Sequence, residues 1–256
     1  KCAPTAYSVR NPVFGVQLAA GGMTGPEAPF TGGHGLTDLI SGPIELPPFG
    51  TAPGGFFIPR AKIKFWPVVY NMQALVWAAI EIRKHVAVED IESIEVETYW
   101  SAWHESGSEP AKWNPTTRET ADHSLPYILA WTLRHGLIDH NAFVREAYLD
   151  PSIRPLMNRV TVRIDEQFEK DFPRVVQMRV TAKDKAGKSH QAHIVNPLGH
   201  EDNPVSAPEL ATKFLRLAAP RLGTKGAASA LELWRNIEKA SDVTPAFDAA
   251  VVSAGS

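Results

Sequence analysis

Apolar residues recur at helical spacing in some stretches of this chain and alternate with polar ones in others. Val13, Phe14, Val16, Leu18 and Ala19 mark a first short helix that stops at Gly21-Gly22. Met72, Leu75, Val76, Ala79 and Ile80 predict a second, amphipathic helix. Between 93 and 99 the period changes to two. Ile94, Val96 and Thr98 fall on one side and Glu95, Glu97 and Tyr99 on the other, as in a half-buried strand. Leu125, Ile128, Leu129, Thr132 and Leu133 return to helical spacing, with Thr120 or Asp122 as N-cap and Gly136 as C-terminal cap. A short helix near 141–147 and strands over 159–164, 175–182 and 188–195 follow. The last two strands flank Lys183-Asp184-Lys185-Ala186-Gly187, a hairpin loop with glycine at its end. Ser206-Ala207-Pro208-Glu209 reads as an N-cap with an early proline, leading into Leu210, Phe214, Leu215 and Leu217. A final helix over 227–239 carries Leu231, Leu233, Trp234 and Ile237.

Glycine and proline crowd the passage over 23–59, notably at Pro47-Pro48 and Pro53-Gly54-Gly55, and leave no room for long regular elements. Loops of that length are functional or cross between domains. Three zones result: 1–60, the end of a helical domain and its crossing; 61–205, helices mixed with strands; and 206–256, helices again. Strands and helices mixed in this way predict an α+β sheet with helices on one face. With 256 residues, 44% of them hydrophobic, the chain can bury a sizeable core. A net charge of −2 favours neither nucleic acid nor a membrane surface as partner. The lone Cys2 excludes an internal disulfide and a multi-thiolate metal cluster, which fits a reducing, cytoplasmic setting. No apolar run reaches about eighteen residues, so no spanning helix is expected. Lys1-Cys2-Ala3-Pro4 has neither an initiator Met nor a signal peptide's apolar core, and looks like the interior of a longer protein.

Candidate chemistry concentrates between Thr116 and Tyr127. His123 and Tyr127 are four apart, a spacing that puts both on one helix face. An imidazole, a phenol and a carboxylate near a helix N-terminus suit a site that handles an anion and moves a proton. On spacing alone, a capped helix with a solvated polar face is the simpler account.

Four stretches, in order, tip that balance. Gly22-Met23-Thr24-Gly25-Pro26 precedes Gly33-His34-Gly35-Leu36; Lys64-Phe65-Trp66-Pro67 precedes Gln73; Ala121-Asp122-His123-Ser124 precedes Tyr127; and Pro197-Leu198-Gly199-His200 runs through Asn203-Pro204 to Lys213-Phe214. Together they resemble the C-terminal half of the MmgE/PrpD family, which contains 2-methylcitrate dehydratase and cis-aconitate decarboxylase. The resemblance implies an α+β lid domain with a mixed or antiparallel sheet, flanked by helices of a discontinuous all-α domain. It implies a lyase that removes water or carbon dioxide from a small polycarboxylic acid with no metal or organic cofactor, working as a homodimer. By the same resemblance Lys64, His123 and Tyr127 are catalytic, and Lys64, Gln73 and His34 bind substrate. An ammonium at Lys64 would neutralise a substrate carboxylate, although a snorkelling surface lysine would also suit Phe65 and Trp66. His34 lies between small neighbours that would let a ligand approach, or is a loop histidine in solvent. His200 is expected to be structural, and Lys213 to pair with an acid beside a buried Phe214. The family's N-terminal half, missing from this chain and belonging to the same protein or to a companion chain, would supply an Asp and further His and Lys residues to the cleft, so this chain would carry part of the site and be inactive alone.

One departure bears on the reaction. Many dehydratases of the family carry Glu, His and Ser where this chain has Val69, Asn71 and Met72. An epimerase or isomerase of a dicarboxylic acid, and a non-catalytic scaffold fragment, are therefore alternatives to the lyase. The panel that separates them follows alkene absorbance and carbon dioxide release from a set of carboxylic acids.

Overall fold

The computed structural model describes residues 3–44, 56 and 58–252. The Pro47-Pro48 and Pro53-Gly54-Gly55 punctuation lies outside the described residues. The chain divides into two compact units, Lys1–Pro59 and Arg60–Ser256.

In the first unit, helix α1 (Ala3–Ala20) starts well before the expected apolar pattern. Helical backbone continues through residues whose polarity carries no period, so the pattern marks only its second half. Its apolar side chains Tyr7, Val13, Phe14 and Val16 are exposed. The helix stops where Gly22 takes a φ of 93°. Among the described residues that follow are turns, one π-helical turn at Thr37–Ser41 and a 3-10 turn at Ile58–Arg60.

The second unit is an α+β fold built on a four-stranded mixed sheet in the order β2-β1-β3-β4. Helix α2 (Gln73–Ile82) comes first. Its pattern predicts an amphipathic stripe, but Ala74, Leu75, Val76, Ala78, Ala79 and Ile82 are all fully buried. The helix packs against β3 and β4 on one side and α6 on another, so nearly its whole circumference is apolar. Strand β1 (Ile91–Thr98) buries Ile94 and Val96 as the alternation requires. Glu97 and Tyr99, placed by that alternation on the wet side, are buried too. Glu97 is gripped by Arg163 and, at 2.9 Å, by Arg179, while Tyr99 donates its hydroxyl to Asn71 Oδ1 at 2.9 Å.

Helices α3 (Trp100–Ser106), α4 (Pro110–Trp113) and α5 (Arg118–Ala121) lead to α6 (Leu125–His135). Neither expected cap serves α6. Ser124 accepts from the Tyr127 N–H at 3.2 Å, while Thr117 caps α5 by accepting from Thr120 N–H at 3.2 Å. Asp122 and His123 instead form the turn between the two helices, so His123 and Tyr127 do not share a helical face. Gly136 does end α6, at a φ of 83°. The helix expected near 141–147 is a 3-10 turn, His140–Phe143, followed by α7 (Arg145–Tyr148).

Helix α8 (Arg154–Met157) precedes β2 (Val160–Ile164), which runs parallel to β1 with Ile94 opposite Val160. Helix α9 (Glu166–Asp171) follows, its Phe168 stacked on His193 and lying under Arg179. Strands β3 (Gln177–Asp184) and β4 (Ser189–Val195) form the expected antiparallel hairpin. Asp184 Oδ1 accepts from Ala186 and Lys188 N–H groups at 3.0 and 2.9 Å, and Gly187 takes a φ of 83°. The last helices are α10 (Ala207–Arg235), kinked at Gly223, and the short α11 (Thr244–Asp248). Ser206 and Glu209 close a capping box at the start of α10, as the sequence predicts.

Candidate active site

The residues from Ile63 to Val69 form a strap whose main chain is held by four separate parts of the unit. Ile63 N–H donates to Gly199 O at 2.8 Å. Gly199 has a φ of 99°, and a Cβ there would meet Ile63 O at 1.9 Å, so glycine alone permits this approach. Gln73, fully buried, clamps the middle of the strap. Its Oε1 accepts from Phe65 and Trp66 N–H at 3.0 Å each, and its Nε2 donates to Trp66 O at 3.0 Å and Val68 O at 3.4 Å. Val69 N–H donates to Asp122 O at 3.2 Å, tying the strap to the His123 turn. From α10, Lys213 Nζ donates to Lys64 O at 2.5 Å and Arg216 Nη2 to Phe65 O at 3.3 Å.

Lys64 itself is exposed on this strap. Phe65, Trp66 and Trp77 pack in a ring cluster with centroids 5.2–5.5 Å apart beneath it. The Arg216 guanidinium lies 4.7 Å from the Trp66 ring and 5.3 Å from Phe65. Burial, then the neighbouring charges of Arg216 and Lys64, hold the Lys213 ammonium below its ordinary pKa. Burial likewise lowers Arg216. Among the described residues no carboxylate forms an ion pair with Lys64, Lys213 or Arg216. The acid expected beside Lys213 is replaced by a carbonyl, and Phe214 is only half-buried.

His123 Nδ1 faces Asp122 Oδ1 and lies 3.1 Å from Glu119 O. Two acceptors at Nδ1 place a proton there and orient the ring, the arrangement that prepares an imidazole for proton transfer. Tyr127 points the other way. Its ring is fully buried and its hydroxyl donates to Ala142 O at 2.5 Å. Burial raises the phenol well above its ordinary value. Lys64 thus lies on a strap that Val69 ties to the His123 turn, Gln73 shapes that strap from inside, and Tyr127 is seated in the core.

His34 belongs to the first unit, at a φ of 67° with its N–H on Asp38 Oδ2 at 3.0 Å. His200 is buried and accepts at Nδ1 from Asp202 N–H at 3.1 Å, a structural role as expected. Burial, with Lys62 second, lowers its pKa. Among the described residues no group of three or more His, Cys, Asp or Glu side chains could hold a metal ion, and no helix is long and apolar enough to cross a membrane.

Arg216 is the strap contact that sequence reasoning missed. Its signal was present in the spacing of Lys213 and Arg216, three apart on one helix, where neighbouring side chains share a face.

No match to the chain was found among curated proteins. The profile of the MmgE/PrpD C-terminal domain matches residues 66–239, the span that holds Gln73, the His123 turn, the sheet and α10. This chain belongs to the MmgE/PrpD family.

Proposed function

We propose that the Lys64 strap is the carboxylate-holding edge of a lyase site for a small polycarboxylic acid, of the dehydratase or decarboxylase type. The observation that carries this reading is the gathering of Lys64, Lys213 and Arg216 with no carboxylate ion-paired to any of them among the described residues. A substrate carboxylate would fill that role. His123, oriented by Asp122, is the proposed base that takes a proton from the carbon beside the carboxylate. In a dehydration the electron pair left behind expels hydroxide, which takes up a proton and leaves as water. In a decarboxylation no C–H proton is removed first: the C–C bonding pair stays on carbon as carbon dioxide departs, and protonated His123 delivers the proton that this carbon takes up. Residues from the N-terminal part of the family's proteins would complete the site across a cleft, so the 256-residue chain by itself is expected to be inactive.

An epimerase on the same scaffold is the second reading, and one observation favours it. Val69 and Met72 are buried apolar residues, and Asn71 is occupied by Tyr99 and by Glu105 at 2.8 Å. Those three positions therefore offer no ionisable group to assist a leaving hydroxyl.

The deciding experiment joins this chain to its N-terminal region and assays 2-methylcitrate, citrate and cis-aconitate by alkene absorbance, carbon dioxide release and solvent deuterium uptake. Lys64→Met should lower kcat/KM by about a hundredfold, the size of effect seen when one preorganised electrostatic donor is lost. Deuterium uptake without elimination would favour the epimerase. No turnover of any kind, or full activity in Lys64→Met, would overturn the carboxylate reading.

A further inference from the structure

The C-terminal helix reaches the strap at two consecutive carbonyls. Lys213 Nζ holds Lys64 O at 2.5 Å and Arg216 Nη2 holds Phe65 O at 3.3 Å, from positions 149 and 151 residues further along the chain. Both donors lie on one face of α10, whose start is fixed by the Ser206–Glu209 capping box. The grip is not a general surface contact. The carbonyls of Trp66 and Val68, the next acceptors along the strap that bond side chains, go to Gln73 instead, so α10 holds the part that Gln73 leaves free. Arg216 is also sandwiched against Phe65 and Trp66, which leaves it little freedom to swing away.

A carbonyl oxygen held at a residue fixes the peptide plane and hence the direction in which that residue's Cα–Cβ bond points. We propose that Lys213 and Arg216 are positioning residues, a two-point clamp by which α10 sets the direction of the Lys64 side chain. The clamp rests on the carboxylate reading only for its functional consequence; the geometry it predicts is independent of any ligand. Through it, the helix that follows the α+β part governs how the cation on the strap is presented.

The test uses the 256-residue chain, with amide hydrogen exchange at Phe65 and Trp66 by NMR and citrate as the binding probe. Lys213→Met should speed exchange at these two amides at least fivefold and weaken citrate binding about fivefold. Lys213→Arg keeps a cation and a donor, and should return both within twofold of the parent. Lys213→Gln, a second variant that keeps a donor without the charge, should restore the exchange rates and with them most of the citrate affinity. Unchanged exchange in Lys213→Met would overturn the clamp, even if citrate binding weakened, because Lys213 would then act only as a charge. Citrate binding that is indifferent to Lys64→Met would sink the carboxylate reading alone, and the clamp would still stand or fall on exchange.

Discussion

Gln73 and Tyr127 show how a polar side chain in the core can serve a site from behind. The Gln73 amide uses both ends on the strap, and the strap N–H groups it satisfies have no other acceptor among the described residues. Gln73→Leu keeps much of the volume and strands those groups in an apolar surrounding. It should destabilise the fold by about 2–4 kcal/mol, read from urea unfolding, because each buried group left unpaired forfeits roughly 1–3 kcal/mol. Tyr127 gives a contrasting expectation. Its hydroxyl is bound to Ala142 O inside the core, so Tyr127→Phe should lower stability by about 1–3 kcal/mol and leave kcat within a few-fold. A large fall in kcat at unchanged stability would show instead that the hydroxyl leaves Ala142 to reach substrate. The resemblance placed both residues at the site by their positions in a motif. A motif records which residues occur together, while the direction of each side chain depends on packing that the motif does not contain.

Elements were legible where local physics decides them. The β3–β4 hairpin, the Ser206 cap and the Gly136 terminus each rest on short-range hydrogen bonds or a positive φ, and all three were readable from residue types. The Asp122–His123 turn was not, because α5 and α6 lie so close in sequence that three residues could serve as cap and only the fold chooses Ser124. Nor was the burial of Glu97, which depends on Arg163 and Arg179 arriving from β2 and β3, more than sixty residues away. Long-range pairing also explains Gly199. Its φ of 99° and its approach to Ile63 make Gly199→Ala doubly unfavourable, since the added Cβ meets the backbone carbonyl at 1.9 Å. The expected result is a loss of about 2 kcal/mol or more together with faster exchange at Ile63, whose N–H bonds to Gly199 O. If Gly199→Ala unfolds at the parental urea concentration, the loop is free to move away and the strap is not anchored there.

Below pH 7, the groups of the Arg60–Ser256 unit whose pKa burial or hydrogen bonding lowers all lose stability on protonation. Burial lowers the pKa of His135, His193 and His200, with like charges from Arg134, Arg179 and Lys62 as the second cause in each case. The folded state therefore holds these imidazoles neutral at a pH where the unfolded chain, near 6.5, begins to protonate them. Their contribution to stability is complete above the unfolded pKa and is lost as pH falls through the folded one. Asp184 and Glu201 continue the trend at lower pH. Hydrogen bonds from His190 and from Arg60 respectively are the main cause of their depressed values, so their contributions vanish as they are protonated. The urea midpoint should accordingly hold level between about pH 7 and 8, decline from about pH 6.5, and steepen again in the carboxylate range. Of the three histidines, His200 is the most enclosed, with 1% of its surface exposed, and its imidazole sits beside the Gly199 contact that anchors the strap. His200→Asn keeps a polar side chain that cannot be protonated, so it should lower stability at neutral pH yet flatten the decline between pH 7 and 5. A variant whose midpoint falls as steeply as the parent's over that interval would remove His200 from the account and leave the acid response to the other two.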